Sequence, residues 1–179
     1  LTERFPKILF EGCASGGNRF DIGVLCYYPQ IWGSDNTDAI SRITIQQGYS
    51  FGYPQSCYTS HVASVPNHQT LRVTPLESRF AVAAFGNLGY ECHLCDSKKE
   101  EIEEIKNQIV IYKKYRKTLQ YGDFYRLRDG NVVQWTIAAR DQSCSRSMVI
   151  QREVKPGEMY MCLKTAGLNA DKKYHFTGR

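Results

Sequence analysis

The chain has 179 residues, 42% hydrophobic and 23% charged, enough to bury one sizeable core or parts of two. Its formal charge of +5 comes largely from residues 113–117, and because such a run on a helix is usually a solvated face, we expect no nucleic-acid partner. No apolar run approaches the roughly 18 residues of a membrane helix, so we expect no membrane partner either.

The seven cysteines are an odd number without disulfide-framework spacing. This favours reduced thiols and a cytoplasmic protein. Cys92 and Cys95 form a Cys-x-x-Cys motif, which is half of a zinc site, but Cys144 and Cys162 stand alone in strand-like segments. We therefore expect neither a metal nor a cofactor.

Strand-like and helix-like patterns alternate over the first two thirds of the chain. The predicted strands are residues 7–13, 31–32, 55–65 and 88–94. The predicted helices are residues 19–28, 38–51, a segment that opens at residue 74, and 97–119. This alternation predicts a parallel β/α sheet.

Three helix starts are marked by residues that satisfy free backbone N–H groups. Asp38 is predicted to cap the second helix, and residues 74–77 and 97–100 have the pattern of a capping box. In the second helix Ile40, Ile43, Gln47 and Phe51 form the stripe expected to face the core.

The pattern changes near residue 120. Residues 132–139, 147–154 and 158–163 are strand-like and are separated by turns, which predicts an antiparallel meander. We therefore assign residues 1–119 and 120–179 to two domains. Three or four strands with open edges make a poor free-standing sheet, and the chain begins with Leu1, so we expect a piece of a longer protein with a truncated second domain.

Two strand ends carry residues suited to ligand binding, the turn at residues 13–17 and the stretch from Trp32 to Asp35. In a parallel β/α protein the carboxyl ends of neighbouring strands meet at one edge, where ligands bind. Asp and its polar neighbours at residues 36–38 are also preferred helix caps. Asp35 is therefore either a carboxylate of a ligand-binding site or a cap for the helix that follows.

The stretch LFEGCASGGNRFDIGVLCYYPQIWGSDNTDAISRITIQQGYSFGYPQS closely resembles the microbial α-galactosidases of glycoside hydrolase family thirty-six. The later stretches SHVASVPNHQT, RVTPLESR and YGDFYRL do so too. The resemblance runs from about Leu9 to Leu127. It implies an α/β fold: the second half of a (β/α)8 TIM barrel followed by a partial antiparallel β-sandwich.

The resemblance also implies an activity, the retaining hydrolysis of terminal α-linked galactose from melibiose- and raffinose-type oligosaccharides. It gives the acid/base role to Asp35, the first Asp of the SDNTD stretch. It assigns Cys13 and Gly16 to the galactose subsite near the 2-hydroxyl, and we add Trp32 as a substrate-binding residue. The intact enzyme is expected to be a homo-oligomer that binds α-galactoside oligosaccharides.

The family's nucleophile is the Asp of a Lys-Trp-Asp motif, and this sequence lacks that motif. Its tryptophans are Trp32 and Trp135, and neither follows a Lys. Retention needs two carboxyls about 5–5.5 Å apart. We therefore expect the nucleophile upstream of Leu1 and this segment alone to be inactive. The alternatives are a transglycosylase or α-N-acetylgalactosaminidase of the same fold, and a non-catalytic sugar-binding or structural fragment.

Overall fold

The computed structural model describes residues 1–13, 15–157 and 160–178. Within it the chain divides into two compact units, Leu1–Arg116 and Lys117–Arg179.

The first unit is an α/β arrangement in which strands and helices alternate, as predicted. Its strands are β1 (Glu11–Gly12), β2 (Gln30–Ile31), β3 (Thr59–Ala63) and β4 (Asn87–Glu91). β1 pairs with β2 and β3 with β4, both in parallel, and a parallel bridge between Ile31 and Tyr58 links the pairs. The helices are α1 (Ala39–Tyr49), α2 (Leu76–Ala83) and α3 (Lys99–Tyr121), whose last residues belong to the second unit.

The buried face of α1 is more polar than predicted. Ile43 is buried, but Phe51 is 72% exposed, and the side chains that fill the interface are Arg42 and Gln46. The Arg42 guanidinium donates to the carbonyls of Ser34 and Thr59. These bonds satisfy backbone groups at the strand ends, which is why two polar residues are stable in the core.

Gln46 extends this polar interface towards α2 and β3. Its Nε2 donates to the carbonyl of Val82 at 3.1 Å, and its Oε1 accepts from the Ser60 hydroxyl and from Arg42 Nε. These bonds link α1 to α2 and to β3. The network therefore holds α1 against the sheet.

Two predicted elements near the N-terminus are much shorter than expected. The strand at residues 7–13 is reduced to β1, and the helix at residues 19–28 is a single 3₁₀ turn, Val24–Cys26. That turn is preceded by Gly23, a weak helix former, and is followed closely by Pro29. Asp21 Oδ1 accepts from the Val24 N–H at 2.9 Å and satisfies the turn locally.

The predicted starts of α2 and α3 need correction. α2 begins at Leu76 with Pro75 as its N-cap and no side-chain cap bond, and the carbonyl of Thr74 accepts from Arg79 instead. At α3 the reciprocal bond comes from Glu101, whose Oε2 accepts from the Lys98 N–H at 3.2 Å. The Ser97 hydroxyl is turned to the carbonyl of His93, so the capping acid is shifted by one residue from the prediction.

The second unit contains an antiparallel three-stranded sheet of β5 (Asp123–Arg128), β6 (Val132–Ala138) and β7 (Ser145–Gln151) in that order. β6 is central and its residues 133–138 are buried, with Gln134 exchanging two hydrogen bonds with the backbone of Lys164. The strands predicted at 132–139 and 147–154 are confirmed with shifted ends, and β5 was not predicted. Of the strand predicted at 158–163, residues 158 and 159 lie outside the described residues, and residues 160–163 are not in a strand.

None of the helices in the described part of the chain is long and apolar enough to cross a membrane. The described residues include all seven cysteines, and each is a free thiol.

Candidate active site

A left-handed turn directly follows β1. Ser15, Gly16 and Gly17 have φ values of 50°, 71° and 98°. Residues with a Cβ rarely adopt this backbone conformation, so glycine at two of the three positions reduces the strain in the turn. Ala14 lies outside the described residues.

The turn packs its backbone against the segment that follows β2. A Cβ on Gly16 would lie 2.9 Å from the backbone nitrogen of Asp35 and 3.3 Å from its Oδ2. A Cβ on Gly17 would lie 2.7 Å from the carbonyl oxygen of Gly33. Both approaches require the absence of a side chain, so the glycines set the separation of the turn from Asp35.

Asp35 is exposed, and its carboxyl is held by a neighbouring indole. Trp32 Nε1 donates to Asp35 Oδ1 at 2.7 Å. The capping work in this stretch is carried out by its neighbours: Asn36 Oδ1 accepts from the Asp38 N–H, and Asp38 Oδ2 accepts from the Ser41 N–H at 3.0 Å. The prediction that Asp38 caps α1 is confirmed. The Asp35 carboxyl is therefore turned towards Trp32 and not towards the helix.

Aromatic side chains also hold the segments next to the glycine turn and Asp35. Tyr49, at the end of α1, donates its hydroxyl to the carbonyl of Gly33, and its ring lies 4.5 Å from that of Phe20. Tyr53 stacks on Phe20 at 4.2 Å. Burial raises the pKa of the Tyr49 phenol, which keeps it a neutral O–H donor. The cluster thus joins residue 20, beyond the glycine turn, to the segment before Asp35.

One face of the parallel strands carries a row of polar side chains; we call it the site face. Side chains alternate along a strand, and Ser60 of β3 points towards α1, so His61 lies on the opposite face. Asn87 Nδ2 donates to Gln30 Oε1 at 2.7 Å, and the Gln30 amide donates to Glu11 Oε2. The site face is therefore continuous from β1 to β4.

His61 lies in the middle of β3 and contacts Trp32 of the candidate site. Its ring centroid is 4.7 Å from that of Trp32, and its Nδ1 is 3.5 Å from Glu91 Oε2. Gly89 is its partner across the ladder, and a Cβ there would lie 2.5 Å from the imidazole. Period-two alternation within Thr59–Ala63 could have indicated its face, but the pairing with Gly89 is not readable from sequence.

The electrostatic surroundings of His61 favour the neutral ring. Burial lowers the pKa of the imidazole, and Arg42 acts in the same direction, while Glu91 and Glu11 oppose them. At neutral pH the ring is consequently an uncharged neighbour of Trp32.

The four predicted site residues are thus located as follows. Gly16 and Trp32 both contact Asp35. Cys13 is exposed and immediately follows Gly12, whose carbonyl accepts from the Trp32 N–H at 2.8 Å. Within the described residues, no three His, Cys, Asp or Glu side chains are grouped so that they could hold a metal ion.

An exposed carboxyl beside a glycine turn, an indole and a polar strand face is suited to proton exchange with a polar ligand such as a sugar. Together with the parallel strand order, these features define a β/α protein whose candidate site lies at the carboxyl ends of its strands.

Comparison with known proteins identifies the family. Residues 1–122 match the melibiase family model, and the chain belongs to this family.

Two curated relatives illustrate the similarity. The chain is 46% identical to alpha-galactosidase Mel36A of Lactobacillus acidophilus, covering 97% of this chain and 24% of the relative. It is 41% identical to alpha-galactosidase AgaA of Geobacillus stearothermophilus, covering 99% of this chain and 25% of the relative. The chain therefore spans about a quarter of the length of the curated relatives that it matches.

Solved structures agree in fold. A crystal structure of a Geobacillus stearothermophilus AgaA variant in complex with raffinose superposes with a TM-score of 0.91 at 42% identity, covering 94% of this chain and 24% of that one. A second AgaA variant was solved in complex with stachyose, with a TM-score of 0.91 at 43% identity and the same coverage.

Proposed function

We propose that this chain is the part of a retaining α-galactosidase that carries the acid/base carboxyl, Asp35. In this proposal residues 1–119 are the second half of a (β/α)8 barrel and residues 120–179 begin an antiparallel β-sandwich. Family membership, four parallel strands alternating with helices, and a separate antiparallel sheet support it.

The orientation of Asp35 is the observation that carries the proposal. A capping aspartate accepts from free N–H groups of its own helix. In this stretch Asp38 does so, while the Asp35 carboxyl is exposed and held by the Trp32 indole beside Gly16. This arrangement leaves Asp35 available to a ligand that enters at the strand ends.

The reaction is a double displacement at the anomeric carbon of an α-galactosyl unit. A carboxylate supplied by another part of the intact protein attacks this carbon, and the bond to the leaving oxygen breaks as Asp35 gives that oxygen its proton. Water then attacks the same carbon, loses its proton to Asp35, and the bond to the nucleophile breaks. Galactose leaves with its original stereochemistry, and Asp35 is again protonated.

Cys13, Gly16 and Trp32 are proposed to contact the galactosyl unit. The left-handed turn brings Gly16 against Asp35, and contacts to the 2-hydroxyl that strengthen in the transition state contribute several kcal/mol in glycosidases. The substrates proposed are melibiose- and raffinose-type oligosaccharides. This fits the raffinose and stachyose complexes of the related AgaA.

We further propose that residues 1–179 alone are inactive, since they supply one carboxyl of the required two. The intact enzyme is proposed to be a cytoplasmic homo-oligomer that uses no metal or cofactor.

The test is the dependence of kcat/KM on the leaving group in the intact enzyme. Asp35→Ala should lower kcat/KM for melibiose by about a hundred- to ten-thousandfold, because its sugar alkoxide needs protonation. Hydrolysis of 2,4-dinitrophenyl α-galactoside, whose leaving group needs no proton, should fall far less. Azide, a nucleophile that needs no general base, should restore turnover of the aryl substrate.

The matched control is Asp96→Ala, which removes an exposed carboxyl in the 3₁₀ turn that precedes α3. It should leave both substrates unchanged. An equal loss on both substrates in Asp35→Ala would contradict the acid role.

A further inference from the structure

The orientation of Asp35 depends on a chain of contacts that starts in β4. Asp35 is exposed and would otherwise sample several rotamers. Trp32 Nε1 holds its Oδ1 at 2.7 Å. The face of that indole lies against His61, with the ring centroids 4.7 Å apart and the planes inclined at 57°. The indole can direct its N–H at Asp35 only while its own ring is held in place.

His61 is itself enclosed, with a carboxylate near one edge of its ring and the backbone of β4 against it. Its Nδ1 lies 3.5 Å from Glu91 Oε2, and its ring occupies the space that a side chain at position 89 would fill. Because Gly89 is directly opposite His61 in the parallel ladder and has no side chain, the imidazole can pack against β4. Only 26% of the His61 side chain is exposed, so neighbouring atoms restrict the orientation of its ring.

We propose that His61 is a positioning residue for the acid/base carboxyl: by fixing Trp32 it keeps Asp35 Oδ1 as a hydrogen-bond acceptor and leaves Oδ2 to carry the exchanged proton. This inference rests on the proposed role of Asp35.

The chemistry of indole makes the two carboxyl oxygens unequal. An indole N–H is a donor only, so Asp35 Oδ1 accepts from Trp32 in both protonation states and the proton resides on Oδ2. Oδ2 is the oxygen nearer the glycine turn, and it lies 3.3 Å from the position that a Cβ of Gly16 would occupy. The Oδ2–H bond breaks as the glycosidic oxygen takes the proton. In the second displacement the proton of the attacking water goes back to Oδ2.

The charged groups around His61 are compatible with this role. Glu91 of β4 and Glu11 of β1 face it from the strands and Arg42 acts on it from α1. Burial lowers the pKa of the imidazole, so the ring is neutral at pH 7 and brings no positive charge to the Trp32–Asp35 pair.

The experiment compares two substrates within each preparation of the intact enzyme. His61→Ala should lower kcat/KM for melibiose by about tenfold more than kcat/KM for 2,4-dinitrophenyl α-galactoside, since a displaced acid loses part of the general-acid contribution. The ratio of the two values does not depend on the fraction of folded protein. An unchanged ratio would overturn the proposal.

Two further variants sharpen the result. His61→Phe keeps a ring against Trp32 and should restore most of the ratio, and a Phe variant no better than the Ala variant would overturn positioning by ring contact. His68→Ala, at an exposed histidine of the same region, should leave the ratio unchanged; a comparable shift there would equally refute a specific role for His61.

Asp35→Ala, measured in parallel, separates this inference from the proposed function. If Asp35→Ala discriminates between the substrates and His61→Ala does not, only the positioning role fails. If Asp35→Ala does not discriminate, the acid role itself fails and the positioning role with it.

Discussion

The two faces of the parallel strands in the first unit use polar side chains in opposite ways. On the face towards the helices, Arg42, Gln46 and Ser60 are buried, and their hydrogen bonds go to backbone carbonyls or to each other. On the site face, Asp35 is exposed and Glu91 is 47% exposed. Buried polar groups whose bonds are internally satisfied hold structure, whereas accessible carboxyls retain the capacity to meet a ligand.

The two faces are nevertheless connected. Arg42 donates to the carbonyl of Ser34, the residue just before Asp35. The helix-side network therefore anchors the backbone of the loop, and the site face orients its side chain. Variants on the helix side should change stability, and variants on the site face should change catalysis.

The largest expected effect is on the helix side. Arg42→Met leaves the partly buried carbonyl of Ser34 and the buried carbonyl of Thr59 without this donor, which should lower the free energy of unfolding by about 3 kcal/mol. Urea denaturation of the intact protein measures it. Lys106→Met, at a side chain 63% exposed on α3, is the control and should stay within about 0.5 kcal/mol. Equal stability of the two variants would contradict a structural role for Arg42.

A change at the glycine turn tests the site face. Gly16→Ala introduces a Cβ against Asp35 in a left-handed turn and should lower kcat/KM for melibiose by about a hundredfold, because small displacements of catalytic groups are costly. Gly130→Ala is the matched control, since Gly130 has φ 118° but no heavy atom within 4 Å of its Cβ position. Gly130→Ala should share the backbone strain but leave kcat/KM unchanged. A similar loss of kcat/KM in both variants would show that strain alone causes the effect.

The cap of α1 should have a smaller effect. Asp38 accepts from the Ser41 N–H and from Arg72, and its side chain is 1% exposed. Asp38→Ala should destabilise by roughly 2 kcal/mol, and Asp38→Asn by about half as much because Asn also caps. Thermal and urea unfolding of the intact protein measure both. An Asn variant as unstable as the Ala variant would show that the ion pair with Arg72 outweighs the cap.

The sequence predicted features that depend on local rules and missed those that depend on register. Asp38 as a cap, the order of β/α elements and α3 follow from capping and periodicity. The apolar stripe of α1 failed because Arg42 and Gln46 find carbonyl and hydroxyl partners on elements distant in sequence. The contacts of His61 could not be predicted for a related reason: its place depends on Gly89, which only strand pairing brings opposite.

The smallest expected effect is a pH dependence. Burial lowers the pKa of His61, so the folded chain binds this proton less readily than the unfolded chain, whose histidine pKa is about 6.5. The contribution of His61 to the free energy of unfolding is therefore fully present above about pH 6.5. It is lost as the pH falls below this value towards the folded-state pKa. Between pH 7 and 5, His61→Phe should lose less thermal stability than the unmodified protein. His68→Phe, at an exposed histidine, should lose as much as the unmodified protein. An equal acid loss in His61→Phe would contradict the assignment.

The most direct test of the acid/base role of Asp35 is a crystal structure of the intact enzyme carrying Asp35→Asn, with melibiose bound. We predict that the side-chain amide at position 35 lies about 2.6–3.2 Å from the glycosidic oxygen while the Trp32 indole N–H remains hydrogen-bonded to the amide oxygen. A side chain at position 35 turned away from the glycosidic oxygen, with another carboxyl in reach of that oxygen, would contradict the acid/base role.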